Sequence, residues 1–142
     1  MYKRQLERVA DILYRVSKDV ERKINKKLEF NEVHLKNISK MFELVDIAME
    51  TMVNNLNKDN AEVRIDGAMD KERDIDALRK KLNKKHLKGI ESADYDIHVG
   101  IIYRDIINAC EKIGDHIINV TEAIVGNVAT DDDDLTEQAE SA

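Results

Sequence analysis

Proline is absent from this chain of 142 residues, glycine occurs 5 times, and aromatic side chains make up 4%. Without proline nothing forces a helix to break. A sequence so poor in aromatic residues also offers little to strands, which favour aromatic and β-branched side chains. The single cysteine, Cys110, excludes an internal disulfide and fits a reducing compartment. No run of about 18 apolar residues occurs, so no membrane-crossing helix is expected. The start, MYKRQLERVADIL, is charged and periodic, unlike a signal peptide. These absences point to an all-α chain, soluble and intracellular.

Charge is plentiful instead, at 37% of residues, with a formal net of −6. That excess sits in one place. Residues 131–142 (DDDDLTEQAESA) carry six acids and no base, and without them the chain has 23 of each sign. A neutral body lacks the basic surface that offsets phosphate-backbone charge, so no nucleic-acid partner is expected. The expected organisation is a helical bundle over 1–128 and a disordered acidic tail over 129–142.

The periodicity predicts four long helices. The first spans about residues 2–27, with Leu6, Val9, Leu13, Val16, Val20 and Ile24 in one apolar stripe. Asn31 is positioned as the N-cap of the second, about 32–56, whose stripe is Leu35, Ile38, Phe42, Val45 and Met49. The third spans about 61–87, with Gly89 placed to close it. Ser92 or Asp94 is placed to cap the fourth, which is expected to end near Val125, before Gly126. Its stripe is Ile102, Ile106, Ala109, Ile113, Ile117, Val120 and Ile124. Long helices joined by short links favour an elongated antiparallel bundle.

The chain also repeats itself. Leu6-Glu7-Arg8-Val9-Ala10-Asp11 aligns with Cys110-Glu111-Lys112-Ile113-Gly114-Asp115 at an offset of 104 residues, acid on acid, base on base and apolar on apolar. The fourth helix therefore reads as a second edition of the first. The repeat unit then has three helices, and the chain holds the last helix of one unit followed by a whole unit.

Three Glu-x-x-x-Asp pairs stand out: Glu7/Asp11, Glu72/Asp76 and Glu111/Asp115. A step of four residues turns about 40° around a helix, so each pair shares one face. In the fourth helix the pair and Asn119 cover about 0–80°, whereas the apolar stripe lies near 160–260°, at about 100° per residue. The acids thus edge the bundle and do not enter its core. Like charges four residues apart cost a few tenths of a kcal/mol. Two such pairs on neighbouring helices would offer oxygen donors to a hard cation such as Mg, Mn or Fe. Acids are abundant here, and a solvated face explains the same spacing. Gly114, beside Asp115, costs its helix about 1 kcal/mol against Ala. Either a close helix neighbour or a ligand would account for it.

Other chemistries find no support. His34, His86, His98 and His116 form no H-x-x-x-H or H-E-x-x-H pattern, Cys110 has no neighbouring base, and no glycine-rich loop is present. A carboxylate-bridged di-metal enzyme would want Glu-x-x-His pairs aimed into a core, and none occurs. No enzymatic activity is expected.

Arg104-Asp105-Ile-Ile-Asn-Ala-Cys-Glu111-Lys-Ile-Gly-Asp115-His-Ile-Ile-Asn119-Val resembles the third-helix signature of the PhoU family, with its E-R-I-G-D-H-x-x-N core. Asp70-Lys-Glu72-Arg-Asp-Ile75-Asp76-Ala-Leu78 is similar to the family's D-x-x-I-D-x-L segment, and Leu6–Asp11 resembles the third-helix signature of a preceding repeat. The resemblance covers about residues 5–127. It implies a helical-bundle regulator of phosphate uptake whose acid pairs bind metal, divalent or trivalent (Fe, Mn, Mg or Zn). By resemblance the ligands are Glu72, Asp76, Glu111 and Asp115, with Asn119, Glu7, Asp11 and His116 as further or supporting groups. At the position matching Asn119 the first motif has Arg15, whose guanidinium could neutralise Glu7 and Asp11. A complete family member has two three-helix repeats, against about one and a third here. This is similar to the PhoU-like cytoplasmic region at the C-terminal end of bacterial Na+/phosphate cotransporters. The partners implied are a membrane transporter domain, on the same chain or separate, and further copies of the chain. The implied location is the cytoplasmic, inner face of the cell membrane.

Overall fold

The computed structural model describes residues 3–59, 62–91 and 96–140, and within them all side chains except those of 87, 89–91 and 127–140. Four helices account for the fold: α1 (Lys3–Asn25), α2 (Glu32–Leu56), α3 (Asp66–Glu91) and α4 (Ile97–Glu140).

Local chemistry explains most boundaries. At the end of α1, Lys27 takes a left-handed φ of 54°. Leu28 N donates to Lys23 O and Lys27 N to Ile24 O, each at 3.0 Å, closing a Schellman motif two residues before the expected end. Asn31 caps α2 as expected, its Oδ1 accepting from His34 N at 2.8 Å. The start of α3 is Asp66, later than the expected Ala61, and its helix continues through Gly89 to Glu91. Ser92 and Asp94 lie outside the described residues; Asp96 caps α4, accepting from His98 N at 2.7 Å. The helix was expected to stop at Gly126, but no glycine takes positive φ and the backbone stays helical to Glu140. Glycine ends a helix by adopting the left-handed conformation, and here it does not. The expected acidic tail, 129–142, has no described side chains.

The centre of the bundle is α4. It packs against α1, α2 and α3, while α2 and α3 also pack on each other. Gln5 meets His116 and Arg22 meets Asp105, so α1 runs antiparallel to α4. Asn83 meets Asn108 and Ile75 meets Gly114, so α3 is antiparallel to α4 as well. All seven residues of the predicted α4 stripe are buried, and Tyr103, Ile107, Cys110 and Thr121 are buried beside them. A helix enclosed on several sides needs this wide apolar surface.

The outer helices differ from their predicted stripes. On α1 the buried residues are Val9, Ile12 and Val16, whereas Leu13, Val20 and Ile24 are exposed. On α2 Met41, Ala48 and Met52 join Ile38 and Val45 inside, while Leu35 and Phe42 face out. Each outer helix carries more apolar residues than its neighbours cover. Leu13, Phe42 and Met49 line an apolar groove over Cys110 and Ile113. Burial pushes the Cys110 thiol up to about 12, which removes it as a nucleophile.

One polar cluster sits inside. Tyr103 stacks between His34 and His86, with ring centroids 4.5 and 5.5 Å away. Asn37 Nδ2 donates to the Tyr103 hydroxyl at 3.1 Å. Burial first, then the opposing His86 charge, holds His34 below its ordinary value of 6.5. Burial first, then Arg104, does the same for His86. A lowered histidine pKa favours the neutral form on folding. Its contribution is present above pH 6.5 and lost as pH falls through the native value. The melting temperature should therefore drop on acidification from pH 7 to 5, and drop less in a His34→Leu, His86→Leu variant; equal slopes would refute this.

Candidate metal centre

The site is built where α3 crosses the outer strip of α4. Ile75 is 1% exposed, and it packs where Gly114 has no side chain. A Cβ at position 114 would stand 3.2 Å from Ile75 Cδ1, inside ordinary contact distance. Of the two explanations for this glycine, the close helix neighbour is the one seen. The approach has a consequence one turn away, because it brings Glu72 of α3 to Glu111 and Asp115 of α4. One carboxylate oxygen from each lies within 4.8 Å of the others, and all three residues are half-buried.

Electrostatics mark the cluster as crowded. Burial, then the charges of Asp115 and Asp76, pushes the Glu72 carboxyl above its usual range. Burial, then hydrogen bonding and charge from Asp115, does the same to Glu111, with Arg79 opposing. Each raised carboxyl contributes stability that is present below its ordinary pKa and lost as pH rises through the native value. At neutral pH the ionised acids therefore work against the fold.

The other predicted ligands are placed differently. Asp76 Oδ1 accepts from Arg79 Nη2 at 2.9 Å, and its Oδ2 is 3.0 Å from Lys80 Nζ. Arg79 first, then Lys80, holds its carboxyl below the usual range. It borders the triad without joining it. Asn119 is half-buried one turn beyond Asp115. The His116 Nδ1–H donates to Gln5 Oε1 at 2.8 Å, which turns the ring toward α1. Glu7 and Asp11 are exposed on α1 and do not reach the triad. Arg15 forms no ion pair with them among the described residues, so the expected internal neutralisation is not seen.

Sequence reasoning missed Arg79. Its guanidinium is pushed up first by Asp76, and the charges of Glu111 and Asp115 act on it too. Its position three residues after Asp76, one helical turn, was the available signal.

With this geometry in view, the family can be assigned. Residues 38–124 match the PhoU domain, more than half of the chain. The chain belongs to the PhoU family. The match takes in most of α2, the triad's portions of α3 and α4, and the apolar core between them; α1 lies outside it. PhoU proteins are non-enzymatic regulators linked to phosphate homeostasis. No curated protein and no solved structure matches the chain.

Two substitutions probe how the PhoU helices hold the triad. Gly114→Val drives a branched side chain into Ile75 and should cost about 1–3 kcal/mol, read as a lowered midpoint in urea. Glu111→Gln removes a like charge and should stabilise the domain at pH 7 in chelator by a few tenths of a kcal/mol, read as a raised melting temperature. A fall in melting temperature would contradict the electrostatic account.

Proposed function

We propose that this PhoU domain regulates phosphate uptake without catalysis and carries a metal ion on Glu72, Glu111 and Asp115. The family match is the observation that carries the regulatory reading. The metal reading is supported by the convergence of three carboxylates from two helices. Oxygens on opposite sides of a hard cation, with bonds of about 2.0–2.6 Å, stand no more than about 5 Å apart. The span of 4.8 Å among the triad oxygens fits that limit. Oxygen-only donors favour Mg, Mn or Fe over the nitrogen- and sulfur-preferring metals. A bound cation would turn the repulsion among the acids into attraction and tie α3 to α4. Metal occupancy would then set the stiffness of the surface shown to a partner.

In this reading the partner is a transporter, and the domain acts at the cytoplasmic face of the membrane. Among the described residues no helix is long and apolar enough to cross one, so a membrane portion would be a separate segment or a separate chain. A PhoU-like region of a sodium-dependent phosphate cotransporter is the preferred form, because Asp105-Ile-Ile-Asn-Ala-Cys-Glu111 resembles that transporter-attached branch. A free regulator of a phosphate ABC transporter and its sensor kinase is the alternative. Hydrophobic spans encoded upstream of this region would support the former, and their absence would eliminate it.

The metal assignment is tested by elemental analysis of protein purified without chelator, with Mn or Mg titration followed by thermal melting. Wild type should hold metal and melt higher with it. Glu111→Ala combined with Asp115→Ala should lose both, and unchanged metal content in that variant refutes the site.

A further inference from the structure

The opposite wall of the same α4 strip is basic. Between α1 and α4 lies an open cleft of about 260 Å³ lined by Arg8, Asp11, Ile12, Arg15, Lys112 and His116. Three permanent cations face one carboxylate there. Among the described residues neither Arg8, Arg15 nor Lys112 forms an ion pair. The imbalance is local: farther along the same α1/α4 groove Arg15 and Lys112 also border Asp19 and Asp105, and the body of the chain outside the acidic tail is neutral.

The repeat explains how it arises. At the offset of 104 residues, Arg8 and Lys112 occupy the same position in the two copies. The Gln5–His116 hydrogen bond sets the antiparallel register. Three residues onward along α1 and four back along α4, Arg8 stands level with Lys112. The near-two-fold relation of the two helices thus faces equivalent cations across one cleft. Arg15 replaces what is Asn119 in the other copy and adds a third. Facing like charges are unfavourable in an empty site and favourable around an anion.

We propose that the α1/α4 cleft binds a phosphate-class oxyanion, inorganic phosphate or a soluble phosphate monoester, through Arg8, Arg15 and Lys112. Two guanidinium groups offer paired N–H donors suited to phosphate oxygens, and the ammonium adds a point charge. A cleft between helices suits a small ligand better than an extended polyanion. The site is distinct from the metal centre, its cations set on the α1 side and the triad on the α3 side, although Lys112 and His116 directly follow the triad's Glu111 and Asp115.

Inorganic phosphate titrated into the full chain by calorimetry, with chelator present, separates the two sites. Saturable binding that equal ionic strength of chloride does not reproduce is expected. Arg15→Gln with Lys112→Gln should weaken it about tenfold or more, while Lys36→Gln with Lys40→Gln, the same charge removed from exposed α2 positions, should leave it unchanged. Circular dichroism checks that both variants fold. The proposal is overturned by absence of saturation, by equal weakening in both variants, or by recruitment to phosphatidic acid vesicles without binding of free phosphate.

Discussion

Everything in this bundle hangs on the enclosure of α4. Three helices pack on it, so it must be apolar around most of its circumference, and Val120, Thr121, Ile106 and Ile107 are all at most 1% exposed. What remains is a narrow outer strip between α1 and α3, carrying Asn108, Glu111, Lys112, Asp115 and Asn119. Charge on α4 has nowhere else to go. The functional chemistry is concentrated on that strip because burial forbids it on the other sides.

The strip is divided by its two neighbours. Toward α3 the contact of Ile75 with Gly114 draws the helices close, and Glu72 completes a group of three acids. Toward α1 the repeat faces Arg8 with Lys112, and a basic cleft results. Arg79 and Lys80 hold Asp76 back from the acids. Opposite charges thus line opposite edges of one strip, carried by consecutive residues about 100° apart around the helix. The acids of the first edge are half-buried, whereas Arg8, Arg15 and Lys112 of the second are exposed.

The match over residues 38–124 coincides with the compact part of the fold. Helices α2, α3 and α4 pack pairwise on one another, while α1 is held chiefly by α4. The first helix therefore has one supporting neighbour, and Leu13, Tyr14, Val20 and Ile24 stay exposed along it. Their counterparts Ile117 and Ile124 are buried in α4, which three helices pack against. The same sequence pattern has two fates, according to how many helices lie against it.

Much of this was legible from residue order alone. Helix content follows from the absence of proline and the three-four spacing, and the bounds of α2 follow from Asn31 and the polar Asn57–Asp59 break. The α4 stripe could be read residue by residue because its polar strip is narrow. The pairing of Glu111 with Asp115 needed only the pitch of a helix. Azimuth was not legible in α1 and α2, where apolar residues outnumber the positions a neighbour can cover and several faces fit equally well. Nor could local spacing separate Asp76, drawn to Arg79 and Lys80, from Glu72, drawn to α4. The two acids share one helix face, and only the packing of Ile75 against Gly114 decides which of them crosses to the other helix. The buried His34–Tyr103–His86 stack and the facing of Arg8 with Lys112 likewise join residues far apart in the chain. Periodicity determines what one helix can show; tertiary packing decides what it meets.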